Sequence, residues 1–116
     1  MLNHETVPRL KCHIVAGGAN NQLLNDDDGL ELHRRGILYA PDYIINAGGV
    51  INVAAEVGMR YNPDRAREKT ERIFEIMSRV IKISKQEEIP TSQAADRMAE
   101  ERLASVRAIK KMYLPR

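Results

Sequence analysis

Two short runs hold the residue types that meet small molecules: GGANNQ at residues 17–22 and INAGGV at residues 45–50. In the second, an asparagine and two adjacent glycines head an apolar, helix-like stretch that continues to Val57. Gly costs a helix interior about 1 kcal/mol relative to Ala, so Gly48 and Gly49 are poor scaffolding. They make sense where a ligand approaches the backbone and the free N–H groups of a helix terminus. On a helix starting near Ile45, residues Asn46, Val50, Val53, Ala54 and Val57 share one face. The commoner meaning of such a face is a core stripe under a polar cap. The sharper meaning is a pocket wall. Asn46 would offer amide donors and an acceptor to a polar head group, and Val50 and Val53 would line a slot for an apolar tail.

GGANNQ follows the apolar run Cys12 to Ala16, which reads as a strand. Ligands of open α/β sheets bind outside the carboxyl ends of strands. Gly17 and Gly18 let a ligand approach backbone there, and Asn20 or Asn21 could hydrogen-bond an amide or a ribose. Taken alone, a Gly-Asn loop is usually only a turn. Its interest comes from pairing, because a second strand at 37–40 delivers the NAGG run to the same edge. His13, expected inside a strand, and His33, inside a helix, form no base–nucleophile pair. Neither makes a ligand spacing with Cys12 or His4, so no metal site is expected. Asp26-Asp27-Asp28 lacks the spaced oxygens of a calcium loop and reads as helix capping. The Arg-rich stretches at 65–72 and 97–107 alternate with Glu and read as solvated faces.

The elements that must position these residues are a strand, a helix and a second strand. The first strand is expected to be buried, from its length, its β-branched content and its glycine stop. A helix near Asp28–Arg35 follows, with acidic residues at its head and Gly36 placed for a left-handed ending. Residues 37–40 form the second strand, stopped by Pro41, and the crossover is long enough to make the pair parallel. Helix is expected from Tyr43 onward. Asn62-Pro63-Asp64 is a start signal for a long amphipathic helix with Ile73, Ile76, Met77, Val80, Ile81 and Ile83. Pro90 and Thr91 interrupt it. A last helix carries Ala95, Met98, Leu103, Val106, Ile109 and Met112 on one side. The fold class is therefore α/β, with two short parallel strands, dominated by helices and ending in two long amphipathic ones. Two strands alone make a poor parallel sheet, so the chain is expected to be part of something larger.

Composition bounds the function classes. With 116 residues, 43% hydrophobic and 29% charged, the chain suits one small globular core. A net charge of +2 with no block of Lys or Arg gives no nucleic-acid footprint. One cysteine rules out an internal disulfide framework and fits a reducing cytoplasm. No signal peptide or membrane-length apolar run is readable. One Phe and no Trp leave an aliphatic core.

The runs AGGANNQLL, HRRGILYAPDYIINAGGVINVAAE and IPTSQAADRMAEERL closely resemble the carboxyl-terminal part of the glutamate/leucine/phenylalanine/valine dehydrogenase family. Within it they are most similar to the leucine dehydrogenases. The resemblance covers the chain from about Asn3 to Met112, and the pairing of ANNQ with APDYIINAGGVINVA is highly specific. It implies that residues 1–58 are the carboxyl-terminal part of a Rossmann-like NAD-binding domain. Residues 59–116 would be the helices that return toward a catalytic domain. The family's reaction is the reversible NAD-linked oxidative deamination of an amino acid to a keto acid and ammonia. By position, the resemblance gives cofactor contacts to Gly18, Ala19, Asn20 and Asn46, with Asn20 at the nicotinamide end. It gives substrate contacts to Asn46, Val50 and Val53. Glutamate-specific members usually present a hydroxyl where Val53 stands, and phenylalanine-specific members a smaller residue where Val50 stands. Two valines thus imply leucine or another branched aliphatic substrate. A homo-oligomer is implied for the full-length enzyme.

The family's catalytic lysines and aspartate and its Gly-x-Gly-x-x-Gly turn have no counterpart in these residues. Gly17-Gly18 and Gly48-Gly49 do not have that spacing. No catalytic residue is expected in this chain, and hydride transfer by it alone is not expected. Met1 aligns inside the domain, so a shortened or split form of a longer enzyme is expected. The competing function, from a different class, is a non-catalytic helical module that acts only in subunit association through exposed apolar faces.

Overall fold

The computed structural model describes residues 1–57 and 62–113, with side chains as far as Ile109. The expected division between residues 58 and 59, and the side chain of Met112 of the last stripe, lie outside what is described. Chain order is a short 3-10 helix Val7–Arg9, β1 Ile14–Val15, α1 Asp26–Arg34, β2 Leu38–Tyr39, α2 Asp42–Ile45, α3 Ala47–Glu56, α4 Pro63–Glu87 and α5 Thr91–Tyr113. β1 and β2 pair in parallel, with Ile14 opposite Leu38 and Val15 opposite Tyr39. The α/β class, the parallel pair and the two long closing helices are as expected from sequence.

The first strand is shorter and wetter than expected. Only Ile14–Val15 is strand, His13 precedes it, Cys12 is exposed and Ile14 is 60% exposed. The period-2 alternation explains this, because Val15 turns to the core while Ile14 faces the side that no described element covers. Leu2 adds a parallel bridge to Leu23, its N–H donating to the Gln22 carbonyl at 2.7 Å. Neither this contact nor the Val7–Arg9 turn is legible in the polar opening run.

α1 begins two residues earlier than expected, with Asn25 as N-cap, so all three aspartates fill the first turn. The Asn25 backbone N–H donates to the Asp28 carboxylate at 2.9 Å. Gly36 ends the helix region at φ +69, a left-handed conformation that only glycine adopts without strain. The Arg35 guanidinium then donates to the carbonyls of Val7 and Leu10, tying the opening turn to this corner. Val7, Leu32, Ile37 and Tyr39 form the core under the sheet.

A second core gathers Ile44, Val80, Ala94 and Ala95 where α2, α4 and α5 meet. The Asn62 side chain caps α4 by accepting from the N–H groups of Asp64 at 2.9 Å and Arg65 at 3.2 Å. Glu88, at φ +55, ends α4. Thr91 links the two cores, because its hydroxyl donates to the Tyr39 carbonyl at 2.5 Å. Gly29 of α1 lies where α5 crosses, and a Cβ there would stand 3.2 Å from the Ser92 hydroxyl. Among the described residues, no helix is long and apolar enough to cross a membrane.

The helix expected from Tyr43 through Val57 is two helices, broken at Asn46 (φ −93, ψ 4). The expected core stripe on it is overturned. Val50, Val53 and Val57 are 73, 59 and 73% exposed, and Ala54 is exposed as well. α3 packs on α4 through a different face, Gly48, Ile51 and Ala55, all half-buried and mostly small. Small side chains allow a close approach, and the valine face is turned outward.

Candidate functional site

At the carboxyl end of β1 the chain turns through residues 16–22, with Asn21 at φ +52, a conformation asparagine tolerates. The Gln22 side-chain amide donates to the carbonyls of Gly17 at 2.8 Å and Ala19 at 2.9 Å, closing the loop on itself. A Cβ at Gly18 would meet nothing within 4 Å, so packing does not account for that glycine. A concavity of about 420 Å³ opens beside the loop, lined by Leu2, Val15 and the glycine–asparagine run.

β2 ends at the same edge and delivers buried Ala40, Pro41 and Asp42 into α2. Asn46 is the N-cap of α3 in position, yet its side chain makes no capping bond. Its amide reaches across to the first loop instead, 3.4 Å from the Asn20 side-chain oxygen and 3.5 Å from the Ala19 carbonyl. These are long contacts at the outer limit of hydrogen bonding. The sequence's pairing of the two polar runs is thus realised: Gly18, Ala19, Asn20 and Asn46 lie together. Val50 and Val53 do not close a pocket with them. They continue from Asn46 along the outward face of α3, and a Cβ at Gly49 would also meet nothing within 4 Å.

Asp42, passed over in the sequence, is at the centre of this edge. It is 8% exposed, and its carboxylate accepts from the Asn21 backbone N–H at 2.7 Å and the Tyr39 hydroxyl at 3.1 Å. Burial, with the neighbouring Asp42 carboxylate, pushes the Tyr39 phenol up to about 12. Tyr39 is therefore a fixed neutral donor at any physiological pH. The Tyr43 hydroxyl donates to the Ser92 carbonyl at 3.2 Å and to Asp96 at 3.3 Å, docking α2 on α5. The one signal for Asp42 was its place after Pro41 at a helix start, which reads as a stop and a charge for the dipole. The Arg-rich faces behave as expected: Arg72 pairs with Glu68 at 2.8 Å and Arg97 with Glu87, all on solvated surface. Among the described residues, no group of three or more His, Cys, Asp or Glu is placed to hold a metal.

The family model described as glutamate/leucine/phenylalanine/valine dehydrogenase matches residues 1–110. The chain is 52% identical over 113 residues to leucine dehydrogenase of Bacillus cereus, covering 97% of this chain and 31% of that protein. It is 47% identical over 107 residues to valine dehydrogenase of Streptomyces albus, covering 92% of this chain and 29% of that one. Among solved structures, L-tryptophan dehydrogenase from Nostoc punctiforme superposes with a TM-score of 0.84 at 41% identity, over 90% of this chain and 31% of that chain. The chain thus spans about a third of the length of the relatives it matches.

Proposed function

Because this chain belongs to the glutamate/leucine/phenylalanine/valine dehydrogenase family, we propose that it supplies part of the active site of an NAD-dependent amino-acid dehydrogenase. The reaction is the reversible oxidative deamination of leucine, or another branched-chain L-amino acid, to the 2-keto acid and ammonia. The observation that carries the reading is the meeting of Asn20 and Asn46, delivered from the carboxyl ends of the two parallel strands.

The residues present suit a nicotinamide. Two side-chain amides at one edge complement a carboxamide, and their mutual contacts are long enough to be exchanged for a ligand's. The open space at Gly18 lets the ring lie against backbone. When bound, NAD supplies the acceptor for the hydride that leaves the amino acid's α-carbon. Gly18, Ala19, Asn20 and Asn46 hold and orient the nicotinamide end, and Asn46 also faces the amino-acid head. Val50 and Val53 offer the side chain an uncharged wall, which favours a branched aliphatic group over a distal carboxylate.

The test is a Bacillus cereus leucine dehydrogenase whose matching 113 residues are replaced by this chain's. It should reduce NAD in the presence of leucine. Asn46→Ala removes two neutral hydrogen bonds of about 0.5–1.5 kcal/mol each, so kcat/KM should fall roughly 5- to 150-fold. An active hybrid indifferent to Asn46→Ala would rule the site out.

A second reading is subunit association alone. It is favoured by the exposure of Phe74, Leu103 and Ile109, at 79, 56 and 56%. An inactive hybrid whose chain still assembles through these faces would support it.

A further inference from the structure

We propose that Asp42 is a positioning residue for this site, setting the Asn20–Asn46 pair by gripping the first loop from the start of α2 while Asn46 stands one turn on, at that helix's end. The inference rests on the nicotinamide reading above. Asp42 and Asn46 are four residues apart, and the Asn46 N–H donates to the Asp42 carbonyl at 2.8 Å, so one helical turn fixes their separation. Asp42 holds the backbone of Asn21, and Asn46 meets the side chain of Asn20. Two residues on one turn therefore engage two consecutive residues of the opposite loop. The grip acts at the loop residue with positive φ, where the backbone most needs an outside restraint.

A first-turn charge on α2 needs no partner on the opposite loop, yet the Asp42 carboxylate holds one there. A buried carboxylate is costly unless its oxygens are bonded, and both bonds here go to neutral donors. None of the described ion pairs includes Asp42. A charge facing neutral donors gives stronger, shorter hydrogen bonds than an amide would, and the 2.7 Å contact is the one that runs to the loop. The Tyr39 contact is the longer of the two and holds the carboxylate's other oxygen from behind.

The experiment uses the hybrid dehydrogenase described above, unchanged as wild type and as Asp42→Asn, Asp42→Ala and Val80→Ala, with hydrogen exchange at the Asn21 amide read by mass spectrometry and NAD affinity read by titration. Loss of a charge-assisted bond should speed Asn21 exchange roughly 10- to 150-fold in Asp42→Ala, with Asp42→Asn intermediate. NAD affinity should weaken in the same order, wild type, then Asn, then Ala. Val80→Ala, in the helical core away from the loop, should lower the melting temperature and keep wild-type NAD affinity, a separation that a merely structural role for Asp42 would not produce. The proposal is overturned if Asn21 exchange or NAD affinity is unchanged in Asp42→Asn and Asp42→Ala. It also falls if NAD affinity follows melting temperature across all four proteins. If Asp42→Ala does not fold, the comparison of Asp42→Asn with wild type decides. A hybrid that does not bind NAD, or binds it indifferently to Asn46→Ala, would overturn the nicotinamide reading instead, while Asn21 exchange still reports the grip.

Discussion

Asn46 stands at a break between two helices with its side chain spent across the sheet edge rather than on its own helix. That the two polar runs meet at one edge was legible in the sequence, from the strands that deliver them, but the break at Asn46 was not. Asp42 was not legible, because the amide it holds lies 21 residues earlier and no local pattern encodes that partner. The valines were half legible. Spacing put Val50, Val53 and Val57 on one face, but spacing cannot say what covers a face. Their exposure separates function from stability. In an active dehydrogenase bearing these residues, Val53→Ser sets a hydroxyl against an apolar substrate tail, an unpaired group costing about 1–3 kcal/mol. Leucine kcat/KM should therefore fall roughly 5- to 150-fold. The melting temperature should hardly move, since Val53 is 59% exposed and surface changes stay within about 0.5 kcal/mol. Val57→Ser, which a core stripe would make destabilising, should be equally silent in stability. Parallel melting curves and a substrate panel check both. Tyr39 adds a pH limit. Its phenol is raised from 10.0 to about 12 in the folded chain, so the stability it contributes is intact below pH 10 and is lost as pH climbs from there toward 12. Chemical denaturation across that range should show stability falling, and Tyr39→Phe should flatten the fall.

Element order follows from local chemistry at each end. Asn62-Pro63-Asp64 starts α4, Gly36 turns the chain into β2, and Pro90 with Thr91 separates α4 from α5. These signals sit within a few residues of the boundary they set, which is why they could be read. The opening turn could not, because Val7–Arg9 is held by Arg35, far along the chain. The joint between the layers was equally hidden. Thr91 looks like an ordinary residue at a helix start, yet its buried hydroxyl is bonded to the Tyr39 carbonyl at the end of β2. It ties the sheet core to the helical core in one contact. Thr91→Val keeps the shape and leaves that carbonyl unpaired, at a cost of about 1–3 kcal/mol. Because Tyr39 also feeds Asp42, the same variant should loosen the site edge. The expected outcome is a lower denaturation midpoint together with faster amide exchange at Asn21. Thr91→Ser, which retains the hydroxyl, should recover most of both.

The whole molecule is stretched, 52 × 35 × 22 Å with a radius of gyration of 16.9 Å, where a compact chain of this length would have roughly 13 Å. It exposes 9112 Å², against roughly 6,400 Å² expected for its mass, an excess of about 2,700 Å². That excess is larger than the ~800 Å² each partner gives to a standard interface. Part of the exposed surface is apolar helix face: Phe74 on α4, and Leu103, Val106 and Ile109 at three-residue spacing on α5, are 79, 56, 44 and 56% exposed. The periodicity of these stripes was legible from sequence, but their lack of cover was not, since a hydrophobic period names the face and never the partner. In isolation, the chain should use another copy of itself as cover. Sedimentation velocity should show association that grows with concentration, and the melting temperature should rise with it by mass action. Burying a large aliphatic side chain contributes about 1.5–3 kcal/mol, so Leu103→Glu with Val106→Glu should weaken association at least tenfold while leaving helix content intact. A chain that sediments as a monomer at every concentration, with one sharp and concentration-independent transition, would show that these faces need no cover.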